Sequence, residues 1–395
     1  MKFLQFLLVV FVATGISAQN NQLSKGFIPQ EALDMIQLCN SFTYIDLYLD
    51  DSEIIPRGYT KIYTSPVMGM DNMFQVYTNG NVAVINFRGS TNKKSSWMEN
   101  INSAIIPAEG TIEIKDDVFN YKFSNDPTAG IHSGYALGLA YLHEELEKQV
   151  KVINEKGIYD IILTGHSQGG SLAILTRALF DYLPARRINK SNTFKVYAFA
   201  HPMVGNIEFV KEYNQKYTNN DMSYSLINPA DMVPMMPLSY NDSTYWKSNL
   251  NALLSKDAEL DKSHMVKEGL TILMQKRLQG VVDRFGNSVM KQVEKELGDV
   301  VMPESKKEIN YSQVGNVIHL PPPVYPLELK DSTILEDKAF LKENPRDENG
   351  VFENKSVYKK TSVSQNHKPY NYYTAILKVY FPKKYETVEP KLFGL

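Results

Sequence analysis

Residues 161–180, IILTGHSQGGSLAILTRALF, change character halfway along. An apolar strand-like run stops at Gly165-His166-Ser167-Gln168-Gly169-Gly170, and an Ala/Leu-rich helical run follows. A chain that turns from strand to helix in so few residues drives its own backbone segments together. Glycines at −2 and +2 of Ser167 remove the side chains that would collide there. The residue at the apex is left at the head of a helix N-terminus, which favours developing negative charge. This strand–turn–helix setting is the one in which G-x-S-x-G presents a nucleophilic serine. A serine hydroxyl is a poor nucleophile near neutral pH, so it needs a base, and the base needs an orienting carboxylate. The rest of the chain must supply both.

The surrounding pattern alternates strands with helices. A helix is expected over 29–50, beginning near Pro29, then strands at 60–64, 73–78 and 82–87, with Asn79-Gly80 as a hairpin turn. A helix over 132–155 leads to the strand at 159–164, and further buried strands are expected at 194–200 and 222–227. Such alternation predicts an α/β fold with a mixed, mostly parallel sheet and helices on both faces. Farther on, Val266, Leu270, Met274, Leu278, Val281, Phe285, Val289 and Val293 recur at steps of three or four, which predicts a long amphipathic helix. It lies within an expected helical cap or insertion at about 240–308. Residues 328–366 are charged and polar and are expected to form a surface excursion.

The first residues differ from the rest. Lys2, the apolar run Phe3–Thr14 and the small-residue site Ile16-Ser17-Ala18 read as a signal peptide over residues 1–18. Residues 19–395 then form a single domain, and the expected location is secreted or periplasmic. No later segment is long and apolar enough to span a bilayer, so no transmembrane segment is expected in the mature chain. A net charge of −2 without a polybasic run gives no reason to expect nucleic acid. Cys39 is the sole cysteine, which excludes an intrachain disulfide; its apolar neighbours make it a core residue.

The acid and base follow the serine in the order serine, acid, histidine. Asp231, in Asn228-Pro229-Ala230-Asp231-Met232-Val233-Pro234, stands directly after an expected strand on a loop stiffened by prolines. Three histidines follow it: His264, His319 and His367. His367 fits best, on a loop before an aromatic helical segment, and His319 is the alternative. An oxyanion hole needs two donors. One is the main-chain N–H of Gln168, which acts here through its backbone rather than its side chain. The other is Ser90, in the loop Arg88-Gly89-Ser90-Thr91 that follows the strand VAVINF, through its amide and hydroxyl.

The blocks FRGSTNKKSSW, GIHSGYALGLAY, LTGHSQGGSLA, FAHPMVGN and NPADMVPMMP, in that order, resemble the class 3 (fungal-type) lipase family of the α/β-hydrolase superfamily. The resemblance covers about residues 60–240, then 309–320 and the His367 region. It implies an α/β-hydrolase fold and carries the nucleophile onto Ser167, the acid onto Asp231 and the oxyanion serine onto Ser90. Family members commonly set their histidine before an aromatic-rich helix, which agrees with His367. His132 also falls on a motif position and is expected to be a buried polar contact. Residues 91–107 resemble the family's lid, with Trp97, Met98 and Ile101 at the entrance. Two departures stand out: the long segment after Asp231, and Phe199-Ala200 where phenylalanine-glycine is common.

The implied activity is hydrolysis of acyl esters, such as triacylglycerol or related lipid, by a secreted serine esterase. Phospholipase A1, a feruloyl or aryl esterase, and a catalytically silent lipase-like binding protein are the alternatives. No metal or organic cofactor is expected. The expected partners are a lipid or other acyl-ester substrate and a lipid–water interface.

Overall fold

The computed structural model describes residues 23–115, 117–237, 239, 290–291, 293–322, 329–348, 350–359 and 366–387. The expected leader (1–18), His264 and residues 240–289 of the expected insertion lie outside them.

A seven-stranded sheet organises the chain. It takes β1 (Thr60–Thr64), β2 (Phe74–Asn79), β3 (Val82–Phe87), β8 (Asp160–His166), β9 (Thr193–Phe199), β11 (Ser223–Ile227) and β14 (Asn316–His319), in that spatial order. The first two pairings are antiparallel and every later one is parallel, so the sheet is mixed and mostly parallel. Asn79-Gly80 makes the β2–β3 turn, with Gly80 at φ 57. The central strands are apolar on both faces because both faces are covered. Ile161 and Leu163 pack with α3 (Ser133–Glu155) and α4 (Gln168–Tyr182), while Ile162 packs with α1 (Pro29–Tyr48). This layering is the α/β-hydrolase fold. Cys39 is buried on the α1 side.

The remaining strands are smaller. β4 (Ile105–Pro107), β7 (Gly130–His132), β10 (Gly205–Asn206) and β13 (Tyr311–Ser312) form one sheet; β5 (Glu109–Ile114), β6 (Asp117–Lys122) and β12 (Val300–Val301) form another. The described tail of the segment 240–308 therefore returns to the body, with Val293 fully buried and β12 paired to β5. Short helices complete the chain: α2 (Lys94–Ile101), α5 (Ile207–Tyr213), the exposed α6 (Lys338–Glu343) and α7 (Pro369–Tyr380). Among the described residues, no helix is long and apolar enough to cross a membrane.

Candidate active site

The loops at the carboxyl ends of β3, β8 and β11 converge, as expected where ligands meet an open parallel sheet. Ser167 follows β8 and takes φ 59, ψ −132, a conformation that L side chains rarely adopt. The flanking glycines hold the turn in place. A Cβ on Gly165 would collide with the Gly169 carbonyl, and one on Gly169 with the carbonyl oxygen of Phe87 on β3. The crowding is thus between the elbow and both its own helix and the neighbouring strand.

His367 Nε2 lies 2.8 Å from Ser167 Oγ, and His367 Nδ1 lies 2.8 Å from Asp231 Oδ2. A carboxylate only accepts, so the ring proton sits on Nδ1 and leaves Nε2 free to accept from the serine hydroxyl. Asp231 is buried, and its other oxygen accepts the Val233 N–H at 3.0 Å. His319 ends β14 on the exposed edge strand and is in register with Ile227; of the two described candidates, His367 is the histidine that meets Ser167.

Two neighbours of the triad were not singled out from sequence. Tyr372, on the first turn of α7, donates its hydroxyl to Asp231 Oδ2 at 2.7 Å and accepts the Asn228 N–H at 3.2 Å. It ties the acid loop to the helix that follows the histidine. The aromatic run NHKPYNYY was visible, but nothing in it distinguishes this tyrosine from its neighbours. The His166 ring packs against His367 at a tilt of 44°, with ring centroids 4.7 Å apart. Burial, and then the His367 charge, hold its pKa well below the ordinary value, so it stays neutral beside a ring that must accept a proton.

Gln168 opens α4, so its N–H has no acceptor within the helix. Its side chain, expected to be idle, is buried and fully engaged. Gln168 Oε1 accepts from Ser90 Oγ at 2.9 Å and from Asn100 Nδ2 at 3.1 Å, and Gln168 Nε2 donates to Asn72 Oδ1 at 2.9 Å. The Ser90 loop lies against the elbow: a Cβ on Gly89 would sit 2.8 Å from the His166 carbonyl oxygen. That loop is staked to Asp71, which accepts from Thr91 Oγ1 at 2.6 Å, Lys93 Nζ at 2.8 Å and Arg88 Nη2 at 3.1 Å. Burial alone would raise the Asp71 pKa, but these donors outweigh it and hold the carboxylate below its ordinary value.

The segment resembling a lid is divided. Trp97 and Ile101 are 54% and 46% exposed, whereas Met98 packs into the core and Glu99 is 0% exposed. His132 is buried and caps α3, accepting the Tyr135 N–H at 3.4 Å; desolvation pushes its pKa down to about 3. Away from this site, Asp117, His143 and Glu144 offer three ligand atoms within 4.8 Å of one another, the group among the described residues with the geometry to hold a metal ion.

Residues 84–241 match the family model described as lipase (class 3). The Caenorhabditis elegans lipase ZK262.3 is 34% identical over 115 residues, and this chain covers 29% of that relative's length, with 29% of its own length matched. Two solved structures are similar to part of this chain. One is the Rhizomucor miehei lipase propeptide complex carrying a Ser95/Ile96 deletion (TM-score 0.40, 18% identity, 53% of this chain and 62% of that one). The other is lipase II from Rhizopus niveus (TM-score 0.36, 20% identity, 53% and 75%). The matched residues 84–241 carry the elbow, the Ser90 loop and the acid loop, so the similarity to the class 3 lipase family falls on the part of the chain that builds most of the site.

Proposed function

We propose that the protein is a serine ester hydrolase of the lipase type, acting on acyl esters of lipid character. The observation that carries this reading is the hydrogen-bonded line Ser167–His367–Asp231, with both contacts at 2.8 Å. Ser167 Oγ attacks the acyl carbon while His367 Nε2 takes its proton, and Asp231 holds the imidazolium that results. The oxyanion is received by the Gln168 N–H and by Ser90. His367 then gives its proton to the leaving alcohol oxygen. Water, activated by the same histidine, hydrolyses the acyl-enzyme and restores Ser167. The chemistry requires no metal or organic cofactor.

The lipid character is supported by exposed apolar side chains on the two segments that carry Ser90 and Asp231. Trp97 and Ile101 follow the first, and Met232, Met235 and Met236 follow the second. Exposed apolar surface around a polar site is suited to a lipid–water interface. Export rests on the leader sequence at residues 1–18 and is proposed with it.

The test is hydrolysis of p-nitrophenyl esters over a series of acyl lengths, below and above their solubility limits, by the wild type and by Ser167→Ala. Ester turnover that vanishes in the alanine variant supports the reading; equal turnover in both defeats it. Preference for acyl-amide or feruloyl substrates over aliphatic esters would defeat the lipid assignment.

A further inference from the structure

Behind the Ser90 hydroxyl stands a ladder of side-chain amides that ends on a buried carboxyl. Asn100 Nδ2 donates to Ser90 Oγ at 2.8 Å, and Asn100 Oδ1 accepts from Tyr135 OH at 2.9 Å. Gln168 Oε1 accepts from both Ser90 and Asn100, and Gln168 Nε2 continues to Asn72 Oδ1. Asn72 Nδ2 then donates to Glu99 Oε2 at 2.7 Å. Each amide has its donor and acceptor ends committed, so flipping any one of them alone sets donor against donor or acceptor against acceptor. The ladder therefore keeps one direction as long as Glu99 presents an accepting oxygen to Asn72 Nδ2, as its Oε2 does.

Glu99 reaches this place because α2 is pressed closely onto α3. A Cβ on Gly134 would collide with the Glu99 carbonyl, and one on Gly138 with Glu99 Oε1. Two glycines one turn apart thus clear the space into which the carboxyl is buried. Ser133 Oγ and the Gly134 N–H, at 2.7 and 3.0 Å, both donate to the Asn102 carbonyl and pin the end of α2.

We propose that Glu99 is a positioning residue for the oxyanion side of the site, its contact with Asn72 fixing the direction of the Ser90 hydroxyl through Gln168 and Asn100. The role rests on the esterase reading above. Ser90 is held from two sides: Asn100 donates to its oxygen, and Gln168 accepts its proton. When Ser90 turns its O–H to an oxyanion, Asn100 Nδ2 remains on Gln168 Oε1, so no buried acceptor is left empty.

Glu99 performs this task uncharged. Desolvation pushes its pKa up to about 8, more than the Asn72 and Gln168 amides lower it. The titratable groups around it are few. Tyr135 faces it from α3 and is itself held well above its ordinary pKa, by desolvation first and by Glu99 second. Asp71 adjoins Asn72, with its charge met by Arg88 and Lys93. Ionisation of Glu99 puts a negative charge into a dry network that serves a developing oxyanion, which opposes the reaction.

The test separates kcat from KM on a soluble short-chain ester between about pH 6 and about pH 10, a window that brackets ionisation of the carboxyl. Wild type should lose roughly fivefold or more of kcat through a step near pH 8, with KM moving less than about twofold. Glu99→Gln keeps an acceptor for Asn72 and cannot ionise, so that step should vanish. Glu99→Leu leaves Asn72 Nδ2 unpaired and should lower kcat about tenfold at pH 7, which Gln rescues. If the leucine variant does not fold, Asn72→Ala cuts the same ladder and should show the same kcat loss. An alkaline step that persists in Glu99→Gln, or wild-type kcat in Asn72→Ala, overturns the proposal. Failure of the esterase reading looks different: the wild type itself hydrolyses no ester.

Discussion

Tyr372 and His367 converge on one oxygen, Asp231 Oδ2, at 2.7 and 2.8 Å, so the acid is clamped between the histidine it serves and the helix that follows it. Tyr372→Phe removes one charge-assisted hydrogen bond and leaves the ring packing intact. The expected result is a fall in kcat of about tenfold with KM within about twofold, because the acid acts through the base and not on bound substrate. Steady-state kinetics on a soluble ester checks this, and a change in KM alone would contradict it.

The elbow tolerates no Cβ at Gly169, since the collision is with the main-chain carbonyl of Phe87 on the adjacent strand. Gly169→Ala should destabilise by roughly 3 kcal/mol or more, as backbone strain at a packed sheet does. A denaturation midpoint unchanged from wild type would contradict this account of the turn.

Ala200 occupies φ 52, within the left-handed region, and is completely buried. This is the alanine of Phe199-Ala200. Ala200→Gly relieves a conformational cost of about 1 kcal/mol and gives back part of it in chain entropy. The net expectation is a small rise in melting temperature, measurable by calorimetry; a clear fall would contradict it.

The Glu99 carboxyl has a folded pKa of about 8 against an ordinary value of 4.5. A carboxyl raised in the folded state contributes its stability fully below the unfolded pKa and loses it as pH rises through the folded one. Wild type should therefore lose stability relative to Glu99→Gln as pH rises from about 4.5 to about 8, where the difference levels off. Melting curves for the pair across this window check the sign, and a wild type that gains stability relative to Glu99→Gln as pH rises contradicts it.

Much of the fold could be read from the chain because its signals are local. The elbow glycines, the Asn79-Gly80 turn and the apolar strands each declare themselves within a few residues, and α1, β3 and α3 lie close to where the pattern puts them. The network behind Ser90 could not be read in this way. Gln168 finds Asn72 across 96 positions of sequence, and Tyr372 finds Asp231 across 141. An amide or a phenol carries no mark of so distant a partner. The eight-residue α2 is too short for its period to separate faces, so Met98, expected at the entrance beside Trp97 and Ile101, is found in the core.

The central claim is that Ser167 is activated by His367. Mass spectrometry after treatment with a fluorophosphonate measures this directly. The account predicts a single adduct on the peptide containing Ser167, formed at least about a hundredfold more slowly in His367→Ala, because the base is removed and the serine is left. No adduct on Ser167, or an adduct formed equally fast without His367, would contradict it.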